Sequence, residues 1–559
     1  MDNVTDPMTG EPLPQAGSDH GLRIKHFRQI LLWPVYLIPP PDEPDLADYA
    51  QRLLDRAPEG LWREVSDEFT ADPSDFQERH YNEFVAFLPA VQRFLYGHCT
   101  HATEGGAITT PIRVLRRLDV AQARVELRRG DAPVLFEVAH ADVYFFFDID
   151  VAVLALEIHA DNLPLHLAQE VMFQFGRAYP SYWEANGQAG HCPARVEWLD
   201  ASGTVLAVSD YEDRRKFLDF TATHRAVSVS AHWDYLLHPL ALANSGREGP
   251  FAYRQLEYHR MPLMAYLAVD DPRQLSGADI ARLAAASGPP GHEHRYGAEE
   301  RYAHLDAQYN SGRFHEIHDR RNTGTRYLAS TRALVIVGDA RDELFADLDH
   351  GALSRFRHQD FLLYLIAHFH RAALLMFSDR LAEAVGRLDM RDAKAVQAFR
   401  RVTREALEAF LRFTHRYWFS QVSDHAETAE LFELCRQNLA LDRLYGDIRQ
   451  EVQDMNQYLE SEAMRRQNET IVRLTVVTIF GLIGTVVTGF LGMNLFAYSD
   501  ETALTKLWLF GVVTIPTIVI MFLMIRKSRQ LSEFLDSVSG EEWSLFGRLK
   551  RLGRGKQRG

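Results

Sequence analysis

The chain has 559 residues, of which 46% are hydrophobic and 25% charged, with a formal net charge of -15. After Ile525 nine Lys/Arg stand against four Asp/Glu, so residues 1–525 carry -20. A body this acidic excludes nucleic acid as a partner, since phosphate requires the opposite sign, and it concentrates cations around itself.

The length corresponds to three or four domain-sized units. Residues 1–22 are polar and rich in Pro, Gly and Asp, and read as a disordered tail. Residues 27–39 predict a buried strand ended by the Pro39-Pro40-Pro41 break. Helical spacing covers 45–97. The stretch 121–160 is β, with the aromatic and β-branched run Asp142–Glu157 at its centre. A helix is expected over 163–178, and further strands over 194–208 and 226–236. These elements define an α+β domain over 23–326, expected to be cytoplasmic. Residues 327–470 lack proline and are rich in helix formers, which predicts an all-helical region. It ends in a stalk helix with an apolar stripe through Leu441, Leu444, Ile448, Val452, Met455 and Leu459. The three cysteines, Cys99, Cys192 and Cys435, are widely spaced and form no CxxC, which excludes a disulfide framework and points to a reducing compartment.

Two apolar segments follow. The first, 471–496, carries a single charge, Arg473. The second, 507–525, carries none. A bilayer core requires about 20 such residues in a helix, so both are predicted to span a membrane, joined by a short outer loop at 497–506. The tail 526–559 opens with Arg526-Lys527-Ser528-Arg529, and basic flanks stay in the cytoplasm. Both termini and the acidic body are therefore expected on the cytoplasmic side of a cell (inner) membrane.

The first segment is rich in Gly and Thr. Taken inward from Asn494 at helical spacing, one face carries Gly489, Thr485, Leu482, Thr478, Thr475, Ile471 and Asn468. Neutral oxygens alternating with apolar rings suit passage of a hydrated ion. The same composition also suits a plain helix interface. One helix cannot enclose a pore, so the pore reading requires a ring of identical chains.

Two C-terminal apolar segments with Gly492-Met493-Asn494 at the outer end of the first resemble the CorA metal-ion transporter superfamily. The resemblance implies a homopentamer, with an α+β cytoplasmic domain, a long helical stalk and two C-terminal transmembrane helices. It implies a divalent-cation channel that takes up Mg²⁺ down the membrane potential and is gated by cation bound to the cytoplasmic domains. It further implies that Gly492, Met493 and Asn494 form the selectivity filter, with Gly492 allowing a backbone turn. Thr485 becomes an inner hydroxyl ring, Leu482 and Leu474 the hydrophobic gate, and Asn468 the polar ring at the cytoplasmic mouth. Leu491 stands where the family has an aromatic residue, and the outer loop reads Tyr498-Ser499-Asp500-Glu501-Thr502, with Asp500 and Glu501 placed to gather cations. These departures leave the ion open among Mg²⁺, Zn²⁺, Co²⁺ and Ni²⁺, with proton-coupled zinc transport of the ZntB type as the nearest alternative. A membrane-anchored sensor or enzyme is the alternative of another class.

No enzyme is expected. Asp148 and Asp150 read as polar residues at a strand end, since no phosphate loop accompanies them. His315-Glu316-Ile317-His318 lacks the spacing that puts two histidines on one helix face. His98-Cys99-Thr100-His101 and His292-Glu293-His294 read as ordinary histidines. His368 and His370 are expected to be satisfied inside an apolar helix. No cofactor is expected, and the regulatory metal residues are not legible.

Overall fold

The computed structural model describes residues 22–40, 43, 48–65, 78–99, 108–109, 111–257, 259–288, 314–318, 324–347, 350–386, 393–495 and parts of 502–519. The expected tail 1–22, apart from its last residue, the His292-Glu293-His294 run, Asp500, Glu501 and the basic tail 526–559 lie outside the described residues. Two compact units divide the chain, Met1–Glu451 and Val452–Gly559.

The first unit is built on strand β1 (Arg23–Ile38), whose apolar and β-branched run pairs from Arg23 to Tyr36 with β8 (Val151–Pro164). Its other edge is shared. Residues 24–31 pair with β13 (Leu263–Val269), and 35–38 pair with β12 (Ala252–Gln255). Pro34 falls at the handover between these two partners. There its missing N–H interrupts no ladder, which explains a proline in a central strand.

The rest of the sheet extends outward from β1 and β8. On one side β7 (Val134–Phe146) pairs with β8 and carries β5 (Ile112–Arg117) and β6 (Gln122–Glu126); β2 (Trp62–Glu64) extends β5, and β9 (Arg195–Leu199) with β10 (Val205–Val208) extends β6. On the other side β16 (Ala333–Asp339) runs parallel to β13, followed by β15 (Arg326–Ser330) and β14 (Phe314–His318). The short β11 (Ala241–Leu242) adds to β12, completing fourteen strands; β3 (His98–Cys99) and β4 (Ile108–Thr109) form a separate pair.

Helices cover both faces. Phe27, Leu31, Trp33, Val35 and Leu37 alternate into one core with α1 (Tyr49–Arg56), α4 (Leu165–Gln174), α6 (Ala231–Leu236) and α7 (Gly277–Ala285). Ile30 and Leu32 point the other way, toward the face on which α10 (Gln359–Gly386) packs against β1 and β8. Phe369 of α10 stacks on Phe146 at 3.8 Å, and Phe361 meets Tyr144 at 5.7 Å. The remaining described helices are α2 (Glu78–Val85), α3 (Pro89–Tyr96), α5 (Arg214–His224), α8 (Glu343–Ala346), α9 (Ala352–Arg357), α11 (Ala393–Arg416), α12 (Ala426–Asn438) and α13 (Leu441–Leu495).

Three expectations require correction. Residues 231–236 form helix α6 rather than a strand, and Trp233 anchors it against Trp33 and Trp198. The all-helical region does not begin at 327: β15 and β16 continue the sheet to Asp339. The run Ala333–Val337 is fully buried between neighbours, and burial on both faces removes the alternation that marks a strand. Asp148 and Asp150 lie in the turn between β7 and β8 rather than on a strand end, and Asp148 has φ +64°.

Ala352–Gly386, comprising α9 and α10, is the described helical stretch long and apolar enough to cross a membrane, yet 78% of its apolar window is buried against the protein itself. It is a core helix. Over the two predicted spans the described apolar helices are the shorter Thr470–Leu482 and Ala503–Val512.

Candidate functional site

Helix α13 is 55 residues long and contains the stalk stripe, the Gly/Thr-rich segment and Gly492-Met493-Asn494 in one continuous element. Leu441, Ile448 and Val452 of the stripe are buried, while Leu444, Met455 and Leu459 are half-buried. From 468 onward the helix has two distinct faces. Val476 is 8% exposed, and Val472, Val477, Phe480, Gly484, Thr488 and Gly492 are half-buried with it. Asn468, Ile471, Leu474, Thr475, Thr478, Leu482, Thr485 and Gly489 are all exposed, with Leu474 at 67% and Leu482 at 65%. At 3.6 residues per turn these eight fall within about 120° of arc. The residues picked out by stepping from Asn494 therefore form one uncovered stripe.

Three threonine hydroxyls on this helix are held. Thr478 donates to the Leu474 carbonyl at 2.8 Å, Thr485 to Gly481 at 2.9 Å and Thr488 to Gly484 at 2.8 Å. A hydroxyl that donates inward leaves its lone pairs facing out, where they accept from water or from a hydrated cation. Three of the glycines have open space beside them: among the described residues, a Cβ built at Gly481, Gly489 or Gly492 meets nothing within 4 Å. Packing inside one chain therefore does not require their small size. The expected turn at Gly492 is not present, because α13 remains helical to Leu495. Gly in a helix interior costs about 1 kcal/mol relative to Ala, too little to end a long helix by itself. Met493 and Asn494 lie in the last turn of α13.

The other candidate residues have structural partners. Asp148 pairs with Arg416 of α11 at 3.2 Å. Asp150 pairs with Arg380 of α10 at 2.7 Å and accepts from the Tyr49 hydroxyl at 2.8 Å. The two carboxylates thus tie the β7–β8 turn to two different helices. His98 and Cys99 sit on the short strand β3, and His315 and His318 on β14. His370 meets its expectation at one nitrogen: Nε2 bonds the Tyr417 carbonyl, while Nδ1 is buried without a hydrogen-bond partner. His368 does not: both its ring nitrogens are buried without a hydrogen-bond partner, beside the Tyr364 ring at 4.4 Å. Burial pushes both histidines down to about 3, and pushes the Cys192 and Cys435 thiols up to about 12.

A polar cavity of about 460 Å³ is lined by His350, His358, His425, Glu83 and Glu427 among others. Among the described residues no three His, Cys, Asp or Glu side chains stand close enough to hold a metal.

Residues 359–527, from the start of α10 through the second apolar segment, match the family described as CorA-like Mg²⁺ transporter protein. This is a class of membrane-embedded transporters of divalent cations, not of enzymes, and its members are generally homo-oligomeric. Over those residues the chain is similar to the CorA superfamily. The matched stretch begins after the sheet, so residues 23–339 are outside it. No curated protein matches the chain.

Proposed function

We propose that this protein is a divalent-cation channel, assembled as a homopentamer, that carries Mg²⁺ inward. The observation that carries the reading is the exposed stripe of α13 leading to Gly492-Met493-Asn494. Segments 471–496 and 507–525 span the membrane in this reading, with both termini cytoplasmic, and the stripe faces the central axis. A hydroxyl and amide stripe suits Mg²⁺, which gives up its water reluctantly and is passed more easily with its shell intact. Leu474 and Leu482 form apolar rings that close by dewetting. Asn494, with Gly492 and Met493, lines the outer entrance, Asn468 lines the inner one, and Asp500 and Glu501 gather cations outside. The membrane potential contributes about 2.3 kcal/mol per charge per 100 mV, so it drives a divalent ion inward without another energy source. Cation bound to the acidic cytoplasmic domains holds the pore closed through differential affinity for the two states.

Leu491 and the Tyr498–Thr502 loop favour a second reading within the family, in which the ion is Zn²⁺ and protons are coupled to its movement. Uptake of Mg²⁺ and Zn²⁺ into liposomes, with and without a pH gradient, separates the two. Asn494→Ala is expected to abolish Mg²⁺ flux or remove its regulation. Unchanged flux in that variant rejects the pore and leaves the helix pair as a tether for a sensor or enzyme.

A further inference from the structure

The turn from which α13 starts is held from outside. Leu439 caps α12, Ala440 is left-handed at φ +50°, and Leu441 opens α13 fully buried. A left-handed alanine costs on the order of 1 kcal/mol, so neighbouring contacts must hold it. Two arginines supply them. Arg436 donates to the Ser420 carbonyl and pairs with Asp442 in the first turn of α13. Arg371, midway along α10, donates from Nη1 to the Leu439 carbonyl at 3.1 Å. The same guanidinium places Nε 3.3 Å from Oε1 of Glu257, on the connection between β12 and β13. One side chain therefore joins the sheet to the start of the stalk.

We propose that Arg371 is a positioning residue of the transporter: the Glu257 carboxylate holds it against the Leu439 carbonyl, so the ionisation of Glu257 sets how firmly α13 is anchored. This rests on the channel reading for its consequence in transport but not for its geometry.

The surroundings make the carboxylate switchable. The Glu257 side chain is 12% exposed and that of Arg371 30%. Burial pushes the Glu257 carboxyl up, with Arg371 opposing. The groups facing the pair are both on α10, Tyr364 beside Glu257 and His368 beside Arg371, and beyond Tyr364 lie Arg260, on the same connection as Glu257, and Cys435 on α12. Burial keeps Tyr364, Cys435 and His368 neutral. Arg260 is directed at the carbonyls of Met172 and Ala286. As cytoplasmic pH falls, Glu257 takes a proton, and Arg371 loses its charged partner and can turn to solvent. Leu439 then loses its donor, and the first turn of α13 loosens. A loosened stalk start is a direct way to alter the gate, because α13 runs unbroken to Leu495.

The test is hydrogen exchange of the full chain in detergent over residues 439–448, corrected for the intrinsic rate, from pH 8 to pH 5. The wild type is expected to exchange about tenfold faster at the acid end, the loss expected for one charge-assisted hydrogen bond. Glu257→Gln should be fast and flat with pH, while strands β1 and β8 keep their protection. Arg371→Lys retains a cation beside Glu257 and should keep the pH step, whereas Arg371→Met should abolish it. A wild-type pH step in Glu257→Gln, or its absence in Arg371→Lys, overturns the proposal. Mg²⁺ flux into liposomes, measured against pH on the cytoplasmic side, should show the same pattern across the variants. If the wild type carries no divalent flux, the channel reading fails, and the exchange data still decide the role of Arg371.

Discussion

His368 and His370 lie two residues apart in one apolar helix, and their different environments predict opposite responses to the same change. His370 bonds the Tyr417 carbonyl, so His370→Phe strands that acceptor and should cost about 1–3 kcal/mol. His368 has no partner for either nitrogen, so His368→Phe removes two buried polar atoms while keeping a ring against Tyr364. It should leave stability unchanged or raise it. The sequence showed that both residues are buried, through the apolar run around them. Which one finds a partner for one of its nitrogens depends on the loop after α11, more than forty residues on by sequence number. Both share a pH dependence with His232, which burial also pushes down to about 3. These rings stay neutral in the folded chain but take a proton near pH 6.5 when unfolded. Their contribution is therefore complete above pH 6.5 and lost as pH falls toward 3, at about 1.4 kcal/mol per pH unit for each. Denaturant titrations at pH 7 and pH 5 should show this loss, smaller by one histidine's share in His368→Phe.

Between elements, charged groups join the sheet to the helices. Glu157 of β8 is fully buried; it meets Arg28 of β1 at 2.8 Å, Arg357 of α9 at 3.1 Å and His140 of β7 at 3.5 Å. Burial alone would raise its carboxyl, but His140, Arg357 and Arg28 together hold it below the usual carboxylate range. Glu157→Gln leaves the arginines beside it without their counter-charge and should cost about 3–5 kcal/mol in a denaturant titration. The stability Glu157 contributes is present above the unfolded carboxyl value and is lost as pH falls through the lower folded one. The sequence shows strands 27–39 and 142–157 as apolar runs. It cannot show that Arg28 and Glu157 face each other, because register is a property of the pair. Strands β15 and β16 were hidden for a related reason. Burial on both faces erases their alternation, and the absence of proline made them resemble the helices that follow.

At the scale of the molecule, α13 leaves apolar surface uncovered in a single chain. Ile471, Leu474, Ile479 and Leu482 are exposed on it, and Leu507, Trp508 and Ile515 are exposed in the second apolar segment. Surface of this kind needs lipid or further copies of the chain to cover it. The open glycines give a way to separate the two. Gly489→Val adds bulk where one chain has space, so the first unit should melt as in the wild type. If α13 packs around a central axis, the same change should break up or weaken the oligomer measured by native mass spectrometry in detergent. A monomeric wild type would contradict the ring outright.

The sequence by itself determined the two long apolar segments near the C-terminus, the Gly492-Met493-Asn494 tripeptide and the spacing that puts Asn468 through Gly489 on one helical face. These are local properties, readable because a helix repeats every 3.6 residues. Tertiary structure decided the extent of the sheet to Asp339, the burial of the apolar helix α10 within the protein, and the join from Glu257 through Arg371 to Leu439. Those depend on residues far apart in the chain meeting in one place, and no spacing along the sequence records such a meeting.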